Sequence, residues 1–286
     1  MDQQDPPDRI GSVALAEIGS VGGFFALRTG APGGAHIPLA QVYEGDHAPL
    51  TARVERVAAR LRAPERRIAA SVAQLGLAAR LWSVALGGAV LAGAVPDLDP
   101  RGLYWDPDLT SPDDLVLTGP PAGAMTGSTA GAVAGPPAVT KAVTKAVTEA
   151  VSGAVTGARA LPATAASVRE VVQYGHLVPL AEALRRDGRI SPRLLWGNAG
   201  SALAGAAREL SAWGERNGRP GVAERTGALA AELFGHPDLR ATGATVAGSF
   251  RRRSCCLYYR CPAGGLCGDC VFDRPPSRSS VQAESG

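Results

Sequence analysis

Cysteine is absent from this 286-residue chain until position 255. A chain of this length buries a substantial core unaided, because the buried fraction of surface rises with size. No disulfide scaffold is needed, and none can form along most of the sequence. Long apolar runs are also missing. The longest, residues 81–95 (LWSVALGGAVLAGAV), is interrupted by Gly87, Gly88 and Gly93. It falls short of the roughly 20 residues that cross a bilayer and reads as a buried core helix, so no transmembrane segment is expected. The start, MDQQDPPDRIGS, has neither a basic nor an apolar leader region. This places the chain in the cytoplasm, at most peripheral to the inner face of the membrane. Clustered cysteines there serve metal or redox chemistry rather than disulfides.

Other absences narrow the function. Lysine occurs only at Lys141 and Lys145, and with so much Ala, Gly and Pro this is the bias of a GC-rich genome. A net charge of +3 without long runs of one sign gives no reason to expect nucleic acid. No Gly-x-Gly-x-x-Gly follows a strand and no phosphate loop occurs, so a built-in nicotinamide or flavin site is unsupported. Serine and histidine show no triad text. The four histidines, His36, His47, His176 and His236, are scattered and read as surface or satisfied core groups. His176, in QYGHLVPL, is the best of them for a pocket role.

What is present is mostly helical. Residues 1 to about 12 read as a disordered start, and residues 10–40 as glycine-rich chain with one or two short strands. TARVERVAARL puts Val54, Val57, Ala58 and Leu61 on one helical face, and ERRIAASVAQLGLAARLW repeats the pattern through Ile68, Val72, Leu75 and Ala79. Residues 102–118 predict turns and one strand. Residues 119–160 form a low-complexity insert containing the repeat AVTK, AVTK, AVTE, AVSG, AVTG. A strict four-residue period drifts around a helix and builds no fixed core stripe. Order resumes near Leu161 with a helix, a break near Pro179 and a second helix ending at Gly188. Ser191 caps the next helix, whose Ala199, Gly200, Ala204 and Gly205 permit close packing. RTGALAAELFG is a further helix, and residues 273–286 read as a disordered tail. The expected fold is one predominantly helical α+β domain. Residues 1–118 form its first half and 161–250 its second, the insert lies between, and a cysteine segment occupies 251–272.

All five cysteines lie in SCCLYYRCPAGGLCGDCVF. Cys267-Gly-Asp-Cys270 is a hook whose tight turn aims two sulfurs at one metal. Cys255-Cys256 is the second pair. Adjacent side chains of a strand point apart, so this pair needs a turned backbone or ligands on different metals. The loop between, with Pro262, Gly264 and Gly265, can fold back to join the pairs. Cys261 belongs to neither. By spacing, a four-thiolate iron–sulfur cluster and a structural zinc site stand level. A thioredoxin-like redox pair and buried structural cysteines fit less well.

The text CCLYYRCPAGGLCGDC resembles the 2Fe-2S signature of FhuF-type ferric siderophore reductases, Cys-Cys-x10-Cys-x2-Cys. SPRLLWGNAGSAL and ERRIAASVAQLGLAARLWSVALG resemble two helical segments of the same family, whereas residues 119–160 match nothing in it. The resemblance implies a 2Fe-2S cluster on Cys255, Cys256, Cys267 and Cys270, with Cys261 a bystander. It implies an oxidoreductase that reduces ferric siderophores, of hydroxamate type, by one electron to release Fe(II) for iron uptake. Electrons would come from a ferredoxin or a flavin reductase. Arg251, Arg252, Arg253 and Arg260 surround the cysteines and are candidates for docking an anionic partner. Tyr258 and Tyr259 are candidates for shielding the cluster, and Trp196 and Asn198 for lining a site. The alternative is a non-catalytic zinc-stabilised binding module or an iron-sensing cluster protein.

Overall fold

The computed structural model describes residues 9–118, 157–246 and 249–276. The repeat, the first eight residues and most of the tail lie outside them. Within these bounds the chain is α+β and predominantly helical.

Its axis is a long helix, α4 (Arg66–Gly87), which continues as a π-helical turn over Gly88–Ala92. Together they are long and apolar enough to cross a membrane by length and composition, yet 72% of the most apolar window is buried inside the protein. It is the core helix that residues 81–95 predict. Helix α3 (Ala48–Leu61) packs along it, and α7 (Pro192–Arg216) forms its largest contact. Helix α8 (Pro220–Gly235) covers the far side of α7. The alanine-rich faces of α4 and α7 favour helix and allow close approach. The expected stripe on α4 is corrected by the structure. Ile68 is buried, but Val72, Leu75 and Ala79 are only partly covered, whereas Ser71 and Gln74 are 0% and 2% exposed. Those two polar residues face α7 and the cysteine segment, and bond to them.

Three small sheets trim the helical core. In the first, β7 (Gly157–Pro162) runs between β1 (Arg9–Gly11) and β4 (Ala94–Pro96), antiparallel to both, with Ile10 opposite Ala158 and Val95 opposite Leu161. Strand β1 thus lies ahead of the expected position 12, and β7 starts four residues inside the expected insert. The second sheet has the order β2 (Arg28–Thr29), β6 (Leu115–Leu117), β5 (Leu103–Trp105), β3 (Ile37–Pro38). It gives residues 102–118 two strands instead of one. The third pairs β8 (Gly243–Val246) with β9 (Ser249–Arg252) and leads into the cysteines. Residues 12–20, expected as irregular chain or strand, form α1 (Ser12–Ser20) and bury Leu15 and Ile18 one helical turn apart. Helix α2 (Leu39–Glu44) precedes α3.

The break expected at Pro179 does not occur. Helix α5 (Ala165–Val168) passes into a π-helix over Arg169–Leu177 and on into α6 (Val178–Asp187), with Pro179 in the first turn of α6. The wider π register leaves proline's missing N–H without consequence there. Ser191 is the N-cap of α7, but its side chain makes no cap hydrogen bond; its carbonyl accepts from Leu194 and Leu195 instead. After α8 a short helix, α9 (Pro237–Arg240), turns the chain into β8.

Candidate metal centre

Strand β9 delivers the cysteine segment to one end of the α4–α7 pair. Alternation along SFRR sends Phe250 and Arg252 inward. The backbone N–H of Arg252 donates to the Asp269 carbonyl (3.0 Å) and that of Arg253 to the Thr242 carbonyl (2.8 Å), so both ends of the segment are tied to one place. Beyond Cys256, Leu257 adopts a left-handed conformation (φ 68°), uncommon outside glycine and costing roughly 1–3 kcal/mol. A 3-10 turn over Tyr258–Arg260 follows. Gly264 closes the loop. A Cβ there would stand 2.0 Å from the Tyr258 carbonyl oxygen, so no larger residue fits. The Cys270 N–H donates to the Cys267 carbonyl (3.0 Å), closing the tight turn of the hook.

Two of the five sulfurs meet, and a third, Cys255, is hydrogen-bonded to the pair. Cys256 Sγ and Cys267 Sγ lie 3.7 Å apart. Two thiolates on one tetrahedral metal, with bonds of about 2.3 Å, stand about 3.8 Å apart. Cys255 shares a hydrogen bond with Cys256, which holds the Cys255 thiol below its usual range and pushes Cys256 above it. Cys267 is pushed up by its hydrogen bond with Cys256, by burial and by the Cys256 charge. Cys270 acts electrostatically on Cys255. Main-chain donors point at the sulfurs, Leu257 N–H at Cys255 (3.2 Å) and Phe272 N–H at Cys270 (3.5 Å). Cys261 stands apart. It is 3% exposed, and burial alone raises its thiol.

Crowded, buried sulfurs without a cation resist becoming thiolates together; a bound metal reverses that balance. Among the described residues no three metal-binding side chains converge on a single ion position. One cation already sits among the sulfurs. Arg252 is 1% exposed, and its charge favours the thiolate forms of Cys255, Cys256 and Cys267. Its Nη2 donates to Asn198 Oδ1 (2.6 Å), while Nε and Nη1 find no partner. No carboxylate pairs with it among the described residues. A buried, half-satisfied guanidinium beside three of the sulfurs fits an anionic cluster.

The supporting shell comes from α4 and α7. Asn198 Nδ2 donates to the carbonyl and the hydroxyl of Ser71 (2.9 and 3.0 Å), and Ser71 Oγ donates to the Cys256 carbonyl (2.9 Å). Gly197 makes room: a Cβ there would stand 1.9 Å from Ser254 Oγ. On the other side Asp269, inside the hook, accepts from Ser201 Oγ (2.5 Å) and pairs with Arg208 (3.4 Å). Ser71, Gln74, Ser201 and Asp269 are not candidates from sequence. For Ser71, Gln74 and Ser201 the only signal is polarity on otherwise apolar helix faces, and for Asp269 its place inside the hook.

The remaining candidates divide. Arg252 cannot dock a partner, because strand alternation turns it inward; this corrects its place among the docking arginines. Arg251 pairs with Asp273 (2.8 Å) and Arg260 with Glu65 (2.7 Å). Arg253 is exposed. Tyr259 meets Phe272 edge-on, their ring centroids 5.7 Å apart. Tyr258 is half-buried. Trp196 packs on the core and does not line the site. His176 lies elsewhere, fully buried. A carbonyl can only accept, so its Nε2–H donates to Leu98 O (2.7 Å), and Nδ1 accepts from Tyr43 Oη (2.9 Å). Burial lowers its pKa to about 4, so it is a neutral core histidine. His36, His47 and His236 bond to Asp113, Val42 and Tyr174, away from the cysteines.

Residues 252–272 match the family model of the FhuF 2Fe-2S C-terminal domain. This segment is similar to the FhuF 2Fe-2S domain. Its cofactor is therefore a 2Fe-2S cluster, and the zinc alternative falls. The match spans the strand end carrying Arg252, all five cysteines and the Tyr259–Phe272 contact. The family likeness of the α4 and α7 text lies outside it, but the FhuF domain rests on those two helices through Ser71, Asn198 and Ser201. A comparison with curated proteins returns no match for the chain.

Proposed function

We propose that this chain reduces ferric siderophore complexes by one electron in the cytoplasm, with Cys255, Cys256, Cys267 and Cys270 as the cluster ligands. The observation that carries the reading is the family match over residues 252–272, which contain all four cysteines; Cys256 and Cys267 Sγ lie 3.7 Å apart and Cys255 is half-exposed on the wall of a surface cavity. The 2Fe-2S cluster supplies electrons one at a time. Fe(III) accepts one electron and becomes Fe(II). The lower charge weakens every bond to the hard, anionic siderophore oxygens, and the ion leaves. The oxidised centre is restored by one electron from a reduced ferredoxin or a reduced flavin carrier. No proton transfer is required. The chain's own part is to hold the sulfurs, balance their charge through Arg252 and expose one edge to the chelate.

Protein purified without oxygen should be red-brown, with about two irons and two sulfides per chain. After dithionite reduction and removal of excess reductant, ferric hydroxamate or ferric carboxylate complexes should restore the oxidised spectrum. A chromogenic ligand should trap one Fe(II) per electron. A reduced spectrum that persists with every ferric complex tried would leave a cluster protein that does not act on siderophores.

A further inference from the structure

The cavity against Cys255 has a volume of about 530 Å³, within the range of small-ligand sites. Arg67, Arg189, Arg193 and Arg253 line it, and no carboxylate does. Arg189, Arg193 and Arg253 are exposed and have no ion-pair partner among the described residues; Arg193 Nη2 donates to the Arg253 carbonyl (3.2 Å). Arg67 pairs with Glu65, which also serves Arg260, so that trio keeps one net positive charge. Leu257 and Phe272 add an apolar wall. A second cavity, of about 340 Å³, shares Arg67, Arg189 and Ile190 with the first and extends it away from the sulfurs.

We infer that this cavity binds the ferric complex and selects complexes of net negative charge, those presenting carboxylate or catecholate oxygens. The inference rests on the reductase reading and names its substrate class. Arginine forks match such oxygens in bidentate fashion. A ferric tris-hydroxamate is neutral and gives four arginines no counter-charge. Cys255 is the only cluster ligand on the wall, so a chelate seated here comes close to the cluster.

Gallium(III) complexes test this without electron transfer. The loaded protein is titrated calorimetrically with a neutral gallium tris-hydroxamate, a gallium hydroxamate bearing free carboxylates and a gallium tris-catecholate. The two anionic complexes should bind at least about tenfold more tightly than the neutral one, and the difference should shrink with salt. An Arg193→Gln/Arg253→Gln double variant should lose that tenfold while keeping its cluster absorption. Arg101→Gln, on a separate surface cavity, should not. Equal affinity for neutral and anionic complexes, or full anionic binding by the double variant, overturns the proposal. So does a double variant that loses only its affinity for an acidic reduced ferredoxin, since the arginines would then belong to the electron donor. Gallium binding without reoxidation by any iron complex would leave the cavity intact and defeat the reductase reading alone.

Discussion

Arg252 is the residue whose environment asks most for an explanation. A buried charge with two unpartnered nitrogens costs several kcal/mol unless an anion stands nearby. A cluster gains one negative charge on reduction, so Arg252 stabilises the reduced form more than the oxidised form and raises the potential. Arg252→Gln should lower the midpoint potential, by about 60 mV for each tenfold loss of that preference, while Arg252→Lys should restore part of it. A spectroelectrochemical titration measures both, and an unchanged potential in the glutamine variant would refute the role. The cysteines give a second contrast. Cys256→Ser should abolish the native 2Fe-2S absorption and paramagnetic signal, and Cys261→Ser should leave both intact. The reverse pattern would mean that the loop repacks when it loads. Spacing alone left zinc and iron–sulfur level; the likeness to the FhuF signature is what implied Cys255, Cys256, Cys267 and Cys270 as the ligand set. Arg252 was not singled out among three consecutive arginines. Strand alternation from Phe250 would have separated it from Arg251 and Arg253, but β9 is only four residues long and gives a weak period.

Helices α4 and α7 carry the site, and one asparagine joins them to it. Asn198→Ala removes two bonds to Ser71 and the only acceptor that Arg252 Nη2 has among the described side chains. The expected cost is about 2–4 kcal/mol, read as a lower denaturation midpoint together with weaker cluster retention. A second consequence lies in the π-helix. His176 has a pKa near 4 folded and near 6.5 unfolded. The unfolded chain therefore binds the extra proton first as pH falls. Stability from this group is complete above pH 6.5 and declines towards pH 4, by about 2 kcal/mol between pH 7 and pH 5. Urea titrations at the two pH values should show this loss, and His176→Gln should flatten it. The long helices could be read from their period. The face of α4 could not, because a helix wrapped on most sides buries Ser71 and Gln74 beside its apolar residues. Strands such as β2 and β3, two residues each, are made by pairing with distant chain and leave no local pattern. The π-helical run hid behind a proline that normally ends a helix.

At the scale of the molecule, strand β7 binds the parts flanking residues 119–156 into one fold, since it pairs with β1 and β4 from the first part. The cysteine segment is attached differently. The contiguous apolar core contains residues from α1 to α9 but none of the cysteines, and Leu257 touches it only from the segment's edge. The segment is held to the helices by polar contacts from Ser71, Asn198, Ser201 and Arg208, by the Arg260–Glu65 ion pair and by the Arg253–Thr242 backbone bond, and its two ends are joined by the Arg252–Asp269 backbone bond and by its metal. Removing the metal should therefore release the segment while sparing the core. Stripped of iron, Cys256 reverts to a thiol held up by Cys255 and by burial, and Cys267 to one held up by Cys256 and by burial. Backbone strain at Leu257 then has less to oppose it. Trypsin should cut the metal-free protein after Arg253 and Arg260 within the time that leaves the loaded protein whole. The helical core should keep its far-ultraviolet dichroism and most of its thermal midpoint. A metal-free protein that unfolds throughout would mean that the cluster holds up the α4–α7 contact itself; one that resists cleavage would mean that the polar ties suffice without metal.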